Sequence, residues 1–422
     1  MNLIHLIEKK KLGGEFLRAE LELFISGVVT ETIPNYQISA LLMAIYFKGL
    51  SENEIYDLTD LMLHSGKNLR FDFPIIWDKH STGGVGDKVS IILAPILASF
   101  GIRVPMISGR CLGHTGGTID KLESIPGFSA EQPVERLDGL LEKSGFFIIT
   151  QSNEIAPADR RLYALRDVTG TVDSIPLIVA SILSKKFAVN INGLLLDIKC
   201  GKGAFMKDLK QARTLSRLAR KIGSRFGKNI NVVITRMDQP LGRMVGNSLE
   251  IIESIEFLKG KFEPDLKELI FEMVDLVLQE TGIEGDVDEM IRSGQPLESL
   301  RSAIIEQGGD GRVIEDYSLL GRAAVSCEIR ADDDGWISEI DGYKVGRLLV
   351  EIGGGRKKTT DRIDHRVGFE FRKKVGDRVK RGDIVCIAHL QDEDQVSILN
   401  SFQFIQIRQK QVSVEPIFFD VS

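Results

Sequence analysis

The sequence predicts an α/β protein in three parts: a small all-helical domain, a larger α/β domain with a mixed sheet, and a C-terminal α+β portion. Three observations carry this. Residues 1 to about 70 place their apolar side chains at helical spacing. Residues 72 to 155 alternate strand-like and helix-like runs, the pattern of a parallel or mixed sheet with helices around it. Past about Ser326 the texture changes to short alternating runs punctuated by Gly turns.

Taken in order, Leu17, Leu21, Leu23 and Phe24, then Ile38, Leu41, Leu42 and Ile45, mark helical faces. Gly49 is placed to stop a helix, and Ser51 with Glu54 forms a capping box for the next, which carries Ile55, Leu58, Leu61 and Met62. A strand near Trp77 follows, then a helix from about Val85 that is apolar on most faces and so predicted to be buried. Further along are a strand at Val104–Ile107, a helix near Val134–Lys143 and a strand at Phe146–Thr150. Residues 157 to 188 return to helix, with Pro176 in a first turn and Asp173 or Ser174 as N-cap. Strands resume at Leu194–Lys199 and Val232–Thr235, with helices over about 209–226 and 266–281. The stretch from Val375 to Val385 reads as a β-hairpin.

Composition excludes several classes. Net charge is −6 over 422 residues, which gives no global pull toward nucleic acid or anionic membrane. The four cysteines, Cys111, Cys200, Cys327 and Cys386, are scattered and show no zinc spacing, which fits a reducing cytoplasm. The first residues run straight into Glu8-Lys9-Lys10-Lys11, so no secretory leader is expected, and no apolar run reaches transmembrane length.

Two loops hold the chemistry. Asp78-Lys79-His80-Ser81-Thr82-Gly83-Gly84-Val85-Gly86-Asp87-Lys88-Val89-Ser90 is the first. Ser108-Gly109-Arg110-Cys111-Leu112-Gly113-His114-Thr115-Gly116-Gly117-Thr118 is the second. Each lies between a strand-like run and a helix-like run. A helix N-terminus after a Gly-rich loop offers free N–H groups and a favourable dipole to an anion. Lys79 adds a charge, and Ser81, Ser90, Ser108 and Thr118 add hydroxyl donors. One Gly-rich loop alone is most often a plain turn; two with this chemistry are a stronger signal. Neither is a Walker A loop or a dinucleotide fingerprint. Ser181 and Lys185 are four apart and share a helix face, ordinarily a solvated one, but here Ile178, Ile182 and Leu183 surround them.

These loops, with Asp120-Lys121-Leu122-Glu123, Tyr163-Ala164-Leu165-Arg166-Asp167, Asp173-Ser174-Ile175-Pro176, Ser181 to Lys186, Gly353-Gly354-Gly355-Arg356 and Val367-Gly368-Phe369, resemble thymidine phosphorylases of the class II pyrimidine nucleoside phosphorylase family. The resemblance covers nearly the whole chain. It assigns residues 1–65 and 157–188 to the helical domain, on the base side of a cleft, and 72–155 and 190–325 to an α/β phosphate-binding domain. Residues 326–422 then form the C-terminal α+β domain.

The resemblance implies reversible phosphorolysis of thymidine and deoxyuridine to the free base and 2-deoxy-α-D-ribose 1-phosphate, in pyrimidine nucleoside salvage and catabolism. Phosphate is then a co-substrate, with no other cofactor and no metal. By motif position, Lys79, Ser81, Ser90, Ser108 and Thr118 hold phosphate, while His80, Arg166, Ser181 and Lys185 hold the pyrimidine. Of these, His80, Arg166 and Lys185 are the catalytic candidates, and a protonated His80 would place a proton near the base O2. His114 is expected to order its loop. Met106 stands where members that also use uridine tend to carry Lys, which points to thymidine preference. Cys111, Lys88 and Lys202 are less usual at their positions, and Lys88 could disturb the monovalent-cation site of the broader pyrimidine branch. A cytoplasmic homodimer through the helical domain is expected, with small-molecule substrates and neither nucleic-acid nor membrane partners. The alternatives are a broad-specificity enzyme that also takes uridine, an anthranilate-type phosphoribosyltransferase, and an inactive nucleoside-binding protein.

Overall fold

The structure is a computed structural model that describes residues 3–110, 116–358 and 361–421. Four helices come first: α1 (Leu3–Lys11), α2 (Arg18–Val29), α3 (Asn35–Lys48) and α4 (Glu52–Leu63). Gly49 ends α3 with φ 71°, a conformation that costs glycine little. The Ser51–Glu54 capping box forms in both directions. The Glu54 carboxylate also accepts Lys10 Nζ at 2.6 Å and Phe16 N at 2.8 Å, so one buried group joins α1, the start of α2 and α4.

Next come β1 (Trp77–Ser81), α5 (Val89–Ser99), β2 (Val104–Ser108), α6 (Thr118–Leu122), α7 (Leu137–Ser144) and β3 (Phe146–Thr150). The helix α5 is buried from Val89 to Leu97, but it starts four residues later than its apolar run suggested. The reason is Gly86: its φ is +76°, and a Cβ there would lie 2.5 Å from the Leu241 carbonyl oxygen. Residues 82–88 are therefore a loop pressed against another backbone segment. Then α8 (Pro157–Val168) and α9 (Ile175–Phe187) bring Leu162, Leu177 and Ala180 into the core of the first four helices, beside Leu41, Leu42 and Leu58.

The chain continues through β4 (Gly193–Cys200), α10 (Leu209–Arg225), β5 (Asn229–Arg236), β6 (Met244–Val245), α11 (Asn247–Leu258) and α12 (Pro264–Thr281). After α13 (Val287–Arg292) and α14 (Gln295–Glu306) come β7 (Val325–Arg330), β8 (Gly335–Ile340), α15 (Gly342–Glu351) and β9 (Gly368–Phe371). The last elements are β10 (Arg378–Val379), β11 (Ile384–Leu390), α16 (Asp394–Asn400), β12 (Ile405–Arg408) and β13 (Phe418–Val421).

The main sheet has the order β1-β4-β5-β13. Its first three strands are parallel, and β13 returns from the C-terminal end to pair antiparallel with β5, which makes the sheet mixed. Strands β2 and β3 pair in parallel, and a bridge between Ile76 and Arg103 sets them beside β1. The carboxyl ends of β1 and β2, which carry Lys79-His80-Ser81 and Ser108, therefore lie side by side. In open α/β sheets that edge is where ligands bind.

The predicted hairpin over Val375–Val385 does not form. β10 pairs with β8 in the sheet β10-β8-β12, and β11 pairs with β9 and β7 in the sheet β6-β9-β11-β7. The Gly turn joins two sheets instead of two partners. Val379 and Val385 both face one apolar core, and no local pattern says which strand lies beside them.

Candidate active site

Lys79, His80, Ser81, Ser90, Met106, Ser108, Thr118, Arg166, Ser181 and Lys185 all line one pocket. Its floor comes from β1, the N-terminal turn of α5, the end of β2 and the start of α6. Its opposite wall is α8 and α9. Cys111 and His114 lie outside the described residues. Lys202 does not line the pocket; its exposed side chain pairs with Glu339 at 2.5 Å.

On the floor, the Lys79 side chain is fully buried and its ammonium is 3.3 Å from Ser90 Oγ. Asp197 Oδ2 is 3.7 Å away, but it lies 2.7 Å from Lys199 Nζ. The other Asp197 oxygen accepts from Thr235 Oγ1 at 2.7 Å. Lys79 thus shares its nearest carboxylate with Lys199, which lies closer to it. Burial pushes its pKa down, and Asp87 and Asp197 pull it partly back. Ser81 Oγ donates to Asp87, whose backbone oxygen accepts from Lys121 Nζ at 2.6 Å. Burial would raise the Asp87 pKa, but Lys79, Lys199 and Lys121 outweigh it and hold the carboxyl below its usual range. At the rim, Arg110 pairs with Glu123, and Arg356 reaches across from the C-terminal portion to Asp120 at 2.7 Å.

On the wall, Lys185 Nζ donates to Ser181 Oγ at 2.8 Å and to Asp159 Oδ2 at 2.6 Å. It also lies 5.5 Å from the centre of the Tyr163 ring. Arg166 donates Nε to the Thr171 carbonyl, Nη1 to that of Leu177 and Nη2 to that of Val172. A guanidinium has five N–H donors and an ammonium three, so both side chains are fixed and both keep unspent donors. Lys186 Nζ pairs with Asp78 Oδ2 at 2.7 Å at the base of the wall. Burial drives the Asp78 carboxyl up to about 6 despite that partner, and it pushes the Lys186 ammonium down.

His80 lies between these cations. Burial first, then Lys186, Lys185 and Lys79, lower its pKa well below the ordinary 6.5. That direction favours the neutral imidazole. Those lysines disfavour the protonated form of His80 that the resemblance would use beside the base O2, and the fixed charges on this side of the pocket are those of Lys185 and Arg166.

Sequence reasoning missed Asp159, Gln151, Asp78 and Lys186. Asp159 Oδ2 accepts from both Lys185 and Gln151 Nε2, each at 2.6 Å. One signal was available: Asp159 and Arg166 are seven apart, so they share a face of α8. Nothing local marks Asp78, which sits 108 residues from its partner Lys186.

Three family models match the chain. They are described as the glycosyl transferase family helical bundle domain over residues 4–66, its a/b domain over 74–290, and the pyrimidine nucleoside phosphorylase C-terminal domain over 336–403. A pyrimidine-nucleoside phosphorylase of Geobacillus stearothermophilus is 41% identical over 99% of this chain and 98% of its own. One of Bacillus subtilis is 41% identical over 94% of each chain. One of Staphylococcus haemolyticus is 43% identical over 93% of each. Among solved structures, the chain is similar to an anthranilate phosphoribosyltransferase from Thermus thermophilus, with TM-score 0.54 and 16% identity. That match covers 72% of this chain and 99% of the other. At that identity the likeness shows the fold alone.

Proposed function

We propose that this chain, which belongs to the pyrimidine nucleoside phosphorylase family, catalyses the reversible phosphorolysis of thymidine and deoxyuridine. The products are the free pyrimidine and 2-deoxy-α-D-ribose 1-phosphate, in nucleoside salvage and catabolism. The observation that carries the reading is the floor: the buried Lys79 ammonium, 3.3 Å from Ser90 Oγ and sharing Asp197 with Lys199, lines one pocket with the hydroxyls of Ser81, Ser90, Ser108 and Thr118, a donor set suited to an anion.

In this reading phosphate binds on the floor and is aimed at C1′ of a nucleoside held by the wall. The transition state has oxocarbenium character, which bound phosphate stabilises. The departing pyrimidine gathers negative charge, and the unspent donors of Arg166 and Lys185 meet it on its carbonyls. Substrates bind between floor and wall, so closure of the cleft brings phosphate onto the sugar. No covalent nucleophile and no cofactor is needed.

Met106 lies on β2, is 2% exposed, and lines the same pocket. A uridine 2′-hydroxyl beside it meets only a weak thioether acceptor, and an unpaired buried hydroxyl costs on the order of 1–3 kcal/mol. That supports a preference for deoxynucleosides. The names of the relatives favour a second reading, in which uridine is used as well. Incubation with thymidine or uridine, with and without phosphate, and assay of free base tests both. Base release that needs no phosphate sinks the reaction. Equal kcat/KM for the two nucleosides sinks the preference.

A homodimer through the helical domain belongs to the same proposal. Leu12, Leu17, Tyr36 and Phe47 of that domain are exposed apolar side chains, which supports a contact there. Sedimentation across a concentration series tests it. No described helix is long and apolar enough to cross a membrane.

A further inference from the structure

Lys88 lies outside the pocket, one residue from Asp87 and two from Ser90. Its side chain is fully buried; the ammonium donates to the Leu241 carbonyl at 2.9 Å and pairs with Glu253 Oε2 at 2.6 Å. Glu253 also accepts the backbone N–H groups of Arg243 at 2.7 Å and Met244 at 3.0 Å. Leu241 N donates back to the Val85 carbonyl at 3.1 Å. One ammonium therefore closes a ring between the loop that precedes α5 and the 239–244 segment. Burial works against the charge, but Glu253, Glu250 and Asp265 outweigh it, and the Lys88 pKa is raised.

A carboxylate and a backbone carbonyl around a buried unit charge are also the ligand chemistry of a weakly hydrated monovalent cation. The resemblance implies such a cation near this position in the broader pyrimidine branch. The residues present here do not fit one: the Leu241 carbonyl and Glu253 Oε2 already hold the Lys88 ammonium, and a second cation on the same oxygens would lie against its charge.

We propose that the Lys88 ammonium acts as a tethered monovalent cation. It holds residues 82–88 and the first turn of α5 against the 239–244 segment without a dissolved ion. Lys88 is then a positioning residue: it touches no substrate, and it sets where Ser81, Asp87 and Ser90 stand on the floor.

The test compares thermal stability and thymidine phosphorolysis in potassium, sodium, ammonium or tetramethylammonium chloride at equal ionic strength. The wild-type protein should keep the same Tm, and kcat/KM within about twofold, in every salt. Lys88→Ala should lose roughly tenfold or more in kcat/KM, and lose Tm, in tetramethylammonium. Potassium or ammonium, which match the vacated space, should restore most of both. Lys88→Met fills that space without charge and should stay impaired in all four salts. A wild-type protein that needs potassium overturns the proposal. So does a Lys88→Ala variant that is stable and active in tetramethylammonium, or one that no small cation rescues. If Lys88→Ala folds only in potassium or ammonium, that supports the proposal; if it folds in no salt, rescue has failed and the proposal falls. The kinetic readout rests on the phosphorolysis reading. The Tm readout does not, so failure of one is distinguishable from failure of the other.

Discussion

Replacing Lys185 by alanine removes an ammonium that serves two masters. It is 2.6 Å from Asp159 Oδ2 and 2.8 Å from Ser181 Oγ, and it lines the pocket where a pyrimidine is proposed to bind. The side chains of Lys185 and Asp159 are 6% and 1% exposed. Without Lys185, Asp159 keeps one donor, Gln151 Nε2, and its Oδ1 has no partner among the described residues. Breaking a buried pair from one side costs about 3–5 kcal/mol, because it strands the other charge. Removing both charges costs less. Lys185→Ala should therefore lose about 3–5 kcal/mol of stability, and Lys185→Met combined with Asp159→Asn distinctly less. The kinetic effect should not follow stability. Loss of one charged donor to the departing base costs about 1.5–3 kcal/mol, roughly ten- to 150-fold in kcat/KM for thymidine, in both variants. Urea unfolding and steady-state assays at varied thymidine and phosphate separate the two effects. A double variant with wild-type kcat/KM would show that Lys185 only neutralises Asp159, and the base-binding assignment would fail.

Ser108→Ala should raise the KM for phosphate by roughly tenfold, one lost donor, and leave the KM for thymidine nearly unchanged. The reverse split would put Ser108 on the wrong side of the cleft. His80 has a folded pKa below its ordinary 6.5, so its contribution to stability is present above that value and lost as pH falls toward the folded pKa. Its NMR signal should show no titration between about pH 6.5 and 8, and kcat/KM should show no fall from His80 over that range. A His80 resonance that titrates near the ordinary value refutes the neutral assignment. Met106→Lys should raise uridine kcat/KM relative to thymidine by roughly tenfold or more. An unchanged ratio means that another residue reads the sugar.

Much of the site was legible because its parts are local. A strand, a Gly-rich loop and a helix start are written in consecutive residues, and Lys79, Ser81 and Ser90 come with them. The Ser51–Glu54 cap and the Ser181–Lys185 contact follow from helical spacing alone, and both form. The chemistry of the groups was less legible. Nothing local showed that α8 brings Asp159 against Lys185, or that burial and three lysines lower the His80 pKa. The hairpin expected over Val375–Val385 failed for a related reason: turn residues fix a reversal of the chain, but long-range packing selects the neighbour.

By itself the sequence determined the order of elements, the helical and α/β halves, and which side chains stand at the ends of β1 and β2. Those features depend on periodicity and on backbone preferences a few residues long. Only the tertiary structure decided which charges are paired. Asp78 meets Lys186 across 108 residues, and Lys88 meets the Leu241 carbonyl across 153. The strength of a charge in a protein depends on the water it has lost and on the groups that replace that water. Both are set by what the distant chain brings to it.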